Sequence, residues 1–330
     1  MSTTIIICDD SSMARKQMAR SLPENWDVDI CYANNGFEGL KAINDTQAEI
    51  MFLDLNMPEM DGYEVLQAIR KLDLPTMVIV VSGDIQPEAY QRVVKLGALD
   101  FIKKPVDPGK IEAVLKKYGI PIERKAIATK IDVKVEITDG YQEVANIAMG
   151  RAADLLARIL NVFVILPVPN VSMLEPSELR MALGQVSDTN DALSALCQGF
   201  VGPGISGEAL LIFNETSFTD IAELMNFKGV ITDIVQMELL MDISNILIGA
   251  CLKGIAEQLD ITFSQGHPVI LGRHVKMKEI LEQENKHWQK TLAIEIPYKI
   301  ENKKINCDLL LLFTEDSIVA LNDRISCLME

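Results

Sequence analysis

The sequence predicts an α/β chain of two domains, a doubly wound parallel sheet over residues 1–120 and then a second α/β domain built from two pseudo-symmetric repeats. Three observations carry this. Short apolar runs alternate with helical periodicity at the start of the chain, the pattern of parallel strands joined by crossover helices. Gly119-Ile120-Pro121 breaks the pattern and is followed by the charged Glu123-Arg124-Lys125, which puts a linker at 121–131 and the second domain at 132–330. Beyond the linker, Phe213-Asn214-Glu215 and Phe313-Thr314-Glu315 each close an apolar run at an offset of 100 residues, the mark of an internal repeat (about 132–225 and 226–330).

Bulk properties agree with two soluble domains. A chain of 330 residues is too long for one ordinary core, and 48% hydrophobic with 24% charged residues is a globular balance. The start of the chain has no basic region, and its apolar run is too short for a signal peptide. No uninterrupted apolar stretch approaches the length needed to cross a bilayer, so no membrane association and a cytoplasmic location are expected. The six cysteines form no CxxC pair and read as buried reduced thiols. His267, His274 and His287 are too spread to suggest a metal site. The net charge of −16 disfavours nucleic acid. Residues 1–120 hold 13 Lys/Arg against 18 Asp/Glu, leaving 18 of 31 against 29 of 47 for the rest, so neither half offers a basic recognition helix.

In the first domain, strand-like runs stand at Ile5–Cys8, Ile50–Leu53, Met77–Val81 and, more weakly, Asp100–Lys103. Each has polar residues at its C-terminal end, the edge where sites form in open α/β sheets. Asp9 and Asp10 follow the first run, Asp54 follows the second, Ser82 the third and Lys104-Pro105 the last. Three carboxylates at one edge repel unless a cation sits among them, and hard oxygen donors with room for water suit Mg²⁺. Lys104 adds a fixed positive charge, Ser82 a hydroxyl for a phosphoryl oxygen, and Pro105 a candidate cis peptide.

The order Asp9-Asp10, Asp54-Leu55-Asn56-Met57-Pro58-Glu59-Met60-Asp61-Gly62, Ser82 and Lys104-Pro105 resembles the CheY-like receiver domain. The resemblance implies a five-stranded sheet with Asp54 as phosphoacceptor, Ser82 as switch hydroxyl, and Phe101 as an aromatic that swings inward on activation. It also implies Mg²⁺ held by Asp10, Asp54 and the Asn56 backbone carbonyl, with Asp9 acting through water. A sensor histidine kinase or phosphotransfer protein is the implied phosphodonor.

In the second domain, Asp139, Glu143 and Asn146 are spaced to share one helical face, and so are Glu238, Asp242 and Asn245. Gly150 and Gly249 lie one turn further on, where a missing side chain would allow close approach. Asn146 is followed after 22 residues by Pro169, and Asn245 after 22 residues by Pro268.

This pattern resembles the CheC/CheX/FliY family of chemotaxis phosphatases. The first copy fills every position; the second has Glu238 for an Asp or Ser, and Asp242 for a Glu. The resemblance implies hydrolysis of aspartyl phosphate on a CheY-like receiver. Asn146 or Asn245 would hold the attacking water, and Glu143 or Asp242 would pair with the receiver's lysine. The expectation is a response regulator that dephosphorylates a separate receiver under control of Asp54 phosphorylation. The alternatives are a self-directed phosphatase acting on Asp54 and a non-catalytic module of the flagellar-switch type. A homodimer is also expected.

Overall fold

Ile5, Ile6 and Ile7 bury well only between two apolar layers, because an extended chain sends successive side chains to opposite faces. In the computed structural model they lie in β1 (Thr3–Cys8), flanked by β2 (Val28–Ala33) and β3 (Ile50–Leu53). With β4 (Met77–Ser82) and β5 (Asp100–Lys103) they form a parallel sheet in the order β2-β1-β3-β4-β5. The structure describes residues 2–125, 133–175, 178, 193–214, 217–275 (the backbone alone for 272–275), 291–303 and 305–329. By contacts these divide into two units, Met1–Glu143 with Met329, and Val144–Leu328 with Glu330. Most of the expected linker, Glu215, His287 and the His274 side chain lie outside the described residues.

In the first unit five helices cover both faces of the sheet: α1 (Ser12–Arg20), α2 (Gly36–Thr46), α3 (Gly62–Lys71), α4 (Pro87–Leu96) and α5 (Pro108–Lys117). Ile6, Cys8, Met51, Leu53, Val78 and Val80 pack with Ile43 of α2, Leu66 of α3 and Val93 of α4. Their alternates Ile5, Ile7, Ile50, Phe52, Ile79 and Val81 pack with Met18 of α1 and Leu115 of α5. Helix starts are written locally. Asn35, Asp61 and Asp107 cap α2, α3 and α5, and Asp61 with Glu64 completes a capping box. β2 was not among the strand-like runs read from the sequence; it is an edge strand, mostly half-exposed, in which Asp29 interrupts the apolar residues.

Helix α6 (Ile137–Leu160) begins in the first unit and continues into the second. The second unit then has β6 (Val164–Ile165), β7 (Asn170–Leu174), β8 (Leu193–Gly202), β9 (Ile205–Asn214) and α7 (Ser217–Leu224). The order recurs as α8 (Asp233–Leu259), β10 (Ser264–Gln265), β11 (Val269–Val275), β12 (Thr291–Ile300), β13 (Asn306–Phe313) and α9 (Ser317–Met329). The sheet is ordered β10-β8-β9-β13-β12-β6, with β11 on β8 and β7 on β12. Each repeat therefore lends its shorter strands to the outer long strand of the other (β10 and β11 on β8, β6 and β7 on β12), and β9 meets β13 at the centre. Pro169 and Pro268 immediately precede β7 and β11, the equivalent strands.

Three expectations need correction. Helix α8 is long and apolar enough to cross a membrane by length and composition, but 61% of its apolar window is buried, with Leu247, Ile248, Cys251 and Leu252 inaccessible. Its apolarity serves the core of the unit. Gly249 makes no close approach among the described residues, where nothing lies within 4 Å of the position its Cβ would take. The close contact is at Gly254, whose added Cβ would stand 2.8 Å from Ala148 Cα. Of the thiols, Cys8, Cys251 and Cys307 are buried, Cys31 and Cys197 are half-buried, and Cys327 is exposed.

Candidate functional site and its relatives

Parallel strands end together, so the residues after β1, β3, β4 and β5 gather at one edge. Lys104, which follows β5 through a cis Lys104–Pro105 bond, brings its Nζ 2.7 Å from Asp9 Oδ2 and 3.1 Å from Asp54 Oδ1. The same ammonium is 3.4 Å from Glu143 Oε1. All four side chains are nearly inaccessible to solvent. Asp54 Oδ2 accepts the Asn56 N–H at 2.7 Å, whereas Oδ1 is buried and takes no hydrogen bond; Lys104 meets it as a charge, off the bonding direction. Ser82 is fully buried at the end of β4, where its Oγ accepts from Asp84 N–H. Phe101 is half-buried and packs edge-on against Tyr90.

The backbone around Asp54 needs Gly62. An added Cβ there would lie 2.3 Å from the Asp54 carbonyl oxygen and 2.8 Å from Leu55 Cα, contacts that backbone atoms cannot relieve. On the opposite side, Arg15 Nη1 donates to the carbonyl oxygens of Asp9 and Asp10 and holds the loop after β1. Ser11 caps α1, and its N–H donates to Asp9 Oδ1 at 2.9 Å.

Four carboxylates (Asp9, Asp10, Asp54 and Glu143) face one ammonium. Burial, with Asp54, Glu143 and Asp10 adding repulsion against the pull of Lys104, holds the Asp9 carboxyl well above its ordinary range. Burial and then Asp54 push Asp10 up to about 7. Glu143 is raised by burial against the opposing pull of Lys104. For Lys104 burial works against the charge, but Asp54, Asp9 and Glu143 outweigh it and raise its pKa well above normal. A cavity of about 10 Å³, room for a single water, opens between Asp9, Asp54, Lys104 and Glu143.

The first two turns of α6 supply three contacts within the first unit. Ser12 Oγ donates to Asp139 Oδ2, Gln142 Nε2 donates to Asp10 Oδ2 at 3.1 Å, and Glu143 meets Lys104. Asp139 also accepts the Glu136 N–H, half of a capping arrangement at the helix start. Ser12 and Gln142 were missed by sequence reasoning, which carries no signal for a pairing across more than a hundred residues; Arg15, whose partners are five and six residues away, was missed as well. Asn146, one turn beyond Glu143, is buried, and among the described residues its Oδ1 takes no hydrogen bond. Glu238, Asp242 and Asn245 on α8 are exposed, so the two copies of one pattern stand in different surroundings. Pro169 is buried and Pro268 half-buried.

Residues 5–116 match the family "Response regulator receiver domain". The N-terminal part of the chain is a CheY-like receiver domain. The receiver's relatives include protein-glutamate methylesterase/protein-glutamine glutaminase 3 of Geobacter sulfurreducens, 30% identical over 44% of this chain and 40% of that protein. Another is protein-glutamate methylesterase/protein-glutamine glutaminase 1 of Myxococcus xanthus, 35% identical over 32% of this chain and 30% of that protein. The chain spans at most about half the length of the first curated relatives it matches. Among solved structures, Thermotoga maritima FliY aligns with a TM-score of 0.42 and 16% identity, over 59% of this chain and 98% of that one.

Receiver domains bind Mg²⁺ at the phosphorylation site, and the donors here fit that ion in kind. Asp10, Asp54 and Asp9 are hard carboxylates in excess of positive charge, and Asp54 Oδ1 is a buried acceptor with no hydrogen bond. In this arrangement Lys104 engages Asp9 and Gln142 engages Asp10, and among the described residues no three acidic, His or Cys side chains converge on one point.

Proposed function

We propose that this chain is a response regulator that hydrolyses the aspartyl phosphate formed on its own Asp54, which makes it a protein aspartyl-phosphate phosphatase acting as a timer. The observation that carries this reading is Glu143 seated 3.4 Å from Lys104, in the pairing that such a phosphatase needs in order to fix its pose on a receiver. Asn146 follows three residues later in the spacing that resembles the phosphatase pattern, and by that resemblance its carboxamide is the group that would hold the attacking water. That water's oxygen bonds to phosphorus as the bond from phosphorus to Asp54 Oδ breaks, leaving the Asp54 carboxylate and dihydrogen phosphate. Lys104 neutralises charge on the phosphoryl oxygens, and Ser82 offers its hydroxyl. Mg²⁺, when bound through Asp10, Asp54, the Asn56 carbonyl and Asp9 by way of water, supplies further charge neutralisation. Positioning is the main contribution such a reaction requires, so no covalent nucleophile in the second domain is invoked.

The exposure of Asp242 and Asn245 favours a second reading, in which the second copy acts on a separate phosphorylated receiver of the chemotaxis type. Asp242 is one methylene shorter than Glu143, which weakens its reach to a lysine. A histidine kinase or phosphotransfer protein as donor, control by Asp54 phosphorylation, a cytoplasmic location, a homodimer, and domains at 1–120 and 132–330 complete the proposal.

The test is the phosphate lifetime on the full chain, labelled at Asp54 by a small phosphodonor that is then removed. Asn146→Ala should lengthen the lifetime by about a hundredfold, and Asn245→Ala should leave it unchanged. Decay in Asn146→Ala equal to that of the parent would sink the self-directed reading. Loss of phosphate from an added receiver that stops in Asn245→Ala would establish the second one.

A further inference from the structure

We propose that Gln142 is a positioning residue that competes with Mg²⁺ for Asp10 and so sets the cation affinity of the receiver. Asp10 forms no ion pair among the described residues, because Lys104 is shared by Asp9, Asp54 and Glu143. Its carboxylate instead accepts the neutral Gln142 amide at 3.1 Å through Oδ2. A lone pair committed to that N–H is not available to a small cation that demands near-octahedral geometry. A cation that takes Asp10 through Oδ2, the oxygen the amide holds, must therefore release the amide or turn the carboxylate away from it. Either change loses the hydrogen bond, and by linkage the bond lowers Mg²⁺ affinity by the same factor.

Gln142 is held in place by its neighbours on one helical turn. Asp139, three residues earlier, bonds Ser12, and Glu143 bonds Lys104; neither Ser12 nor Lys104 is a cation ligand. The turn thus stays anchored when Gln142 lets go, and the competition is confined to one side chain. The consequence is a receiver that loads Mg²⁺, and so takes phosphate, only at a higher cation level than its own carboxylates require. The inference rests on the receiver's metal pocket and not on the phosphatase reading.

The experiment is a calorimetric Mg²⁺ titration of the full-length, unphosphorylated protein. Gln142→Ala, a substitution that suits a helix, should tighten Mg²⁺ binding by roughly tenfold, the size of a hydrogen bond to a charged group. Ser12→Ala, which loosens the turn without touching a ligand, should tighten it to a lesser degree. Unchanged or weaker binding in Gln142→Ala would overturn the inference, the second outcome showing that the amide supports the cation. An effect of Gln142→Ala that persists with Asp10→Asn would also overturn it. Because no phosphate is present, the result stands whatever Asn146 does.

Discussion

The Glu143 carboxylate lies 3.4 Å from the Lys104 ammonium, and both side chains are almost wholly buried. The pair belongs to a cluster in which Lys104 also serves Asp9 and Asp54. Such a cluster is costly to break from the cationic side, because removal of one ammonium strands three carboxylates away from water. Lys104→Ala should lower the stability of the chain by about 3 kcal/mol in urea unfolding. The loss should shrink by about 1 kcal/mol in a Glu143→Gln background, where one fewer charge is stranded. Equal losses in both backgrounds would mean that Glu143 and Lys104 are energetically independent.

Helices α6 and α8 meet where Gly254 leaves room for Ala148, whereas Gly249, on the same helix, has no described atom within 4 Å of where its Cβ would be. The two glycines should respond in opposite directions to the same change. Gly254→Ala forces backbone apart and should cost about 2 kcal/mol. Gly249→Ala adds only helix propensity and should stabilise by up to about 1 kcal/mol. Thermal unfolding of the two variants beside the parent checks both signs.

In the second unit, Asp308 of β13 is pushed up to about 6 by burial first and then by Glu295 of β12, with Lys299 opposing. A carboxyl whose folded pKa is raised favours folding while it is protonated. Its stabilising contribution is complete below about 4 and is lost as pH rises through about 6. Asp308→Asn removes this dependence. The variant should gain about 3 kcal/mol over the parent at pH 7.5 and almost none near pH 4, by denaturant unfolding at each pH. A difference that is flat across this window would show that burial does not govern Asp308.

Much of the first unit is legible residue by residue. Runs such as Ile5–Ile7 announce buried strands, Asp61 and Glu64 announce a helix start, and Asp9, Asp54, Ser82 and Lys104 fall where parallel strands must end. These signals are local: they depend on side-chain period and on caps a few residues apart. The edge strand β2 lacked the signal because half-exposed positions place little demand on composition.

The edge that gathers Asp9, Asp54, Ser82 and Lys104, the doubled α/β repeat and the spacing of Asp139, Glu143 and Asn146 can all be read along the chain. Only the tertiary structure decided that Glu143 and Asn146 are buried while Asp242 and Asn245 are exposed, although the spacing is the same in both copies. It also decided that Gln142 meets Asp10 and Ser12 meets Asp139, and that Gly254 rather than Gly249 marks a helix crossing. The reason is that periodicity states which face a residue occupies. What packs against that face comes from chain more than a hundred residues away, and no local pattern encodes it.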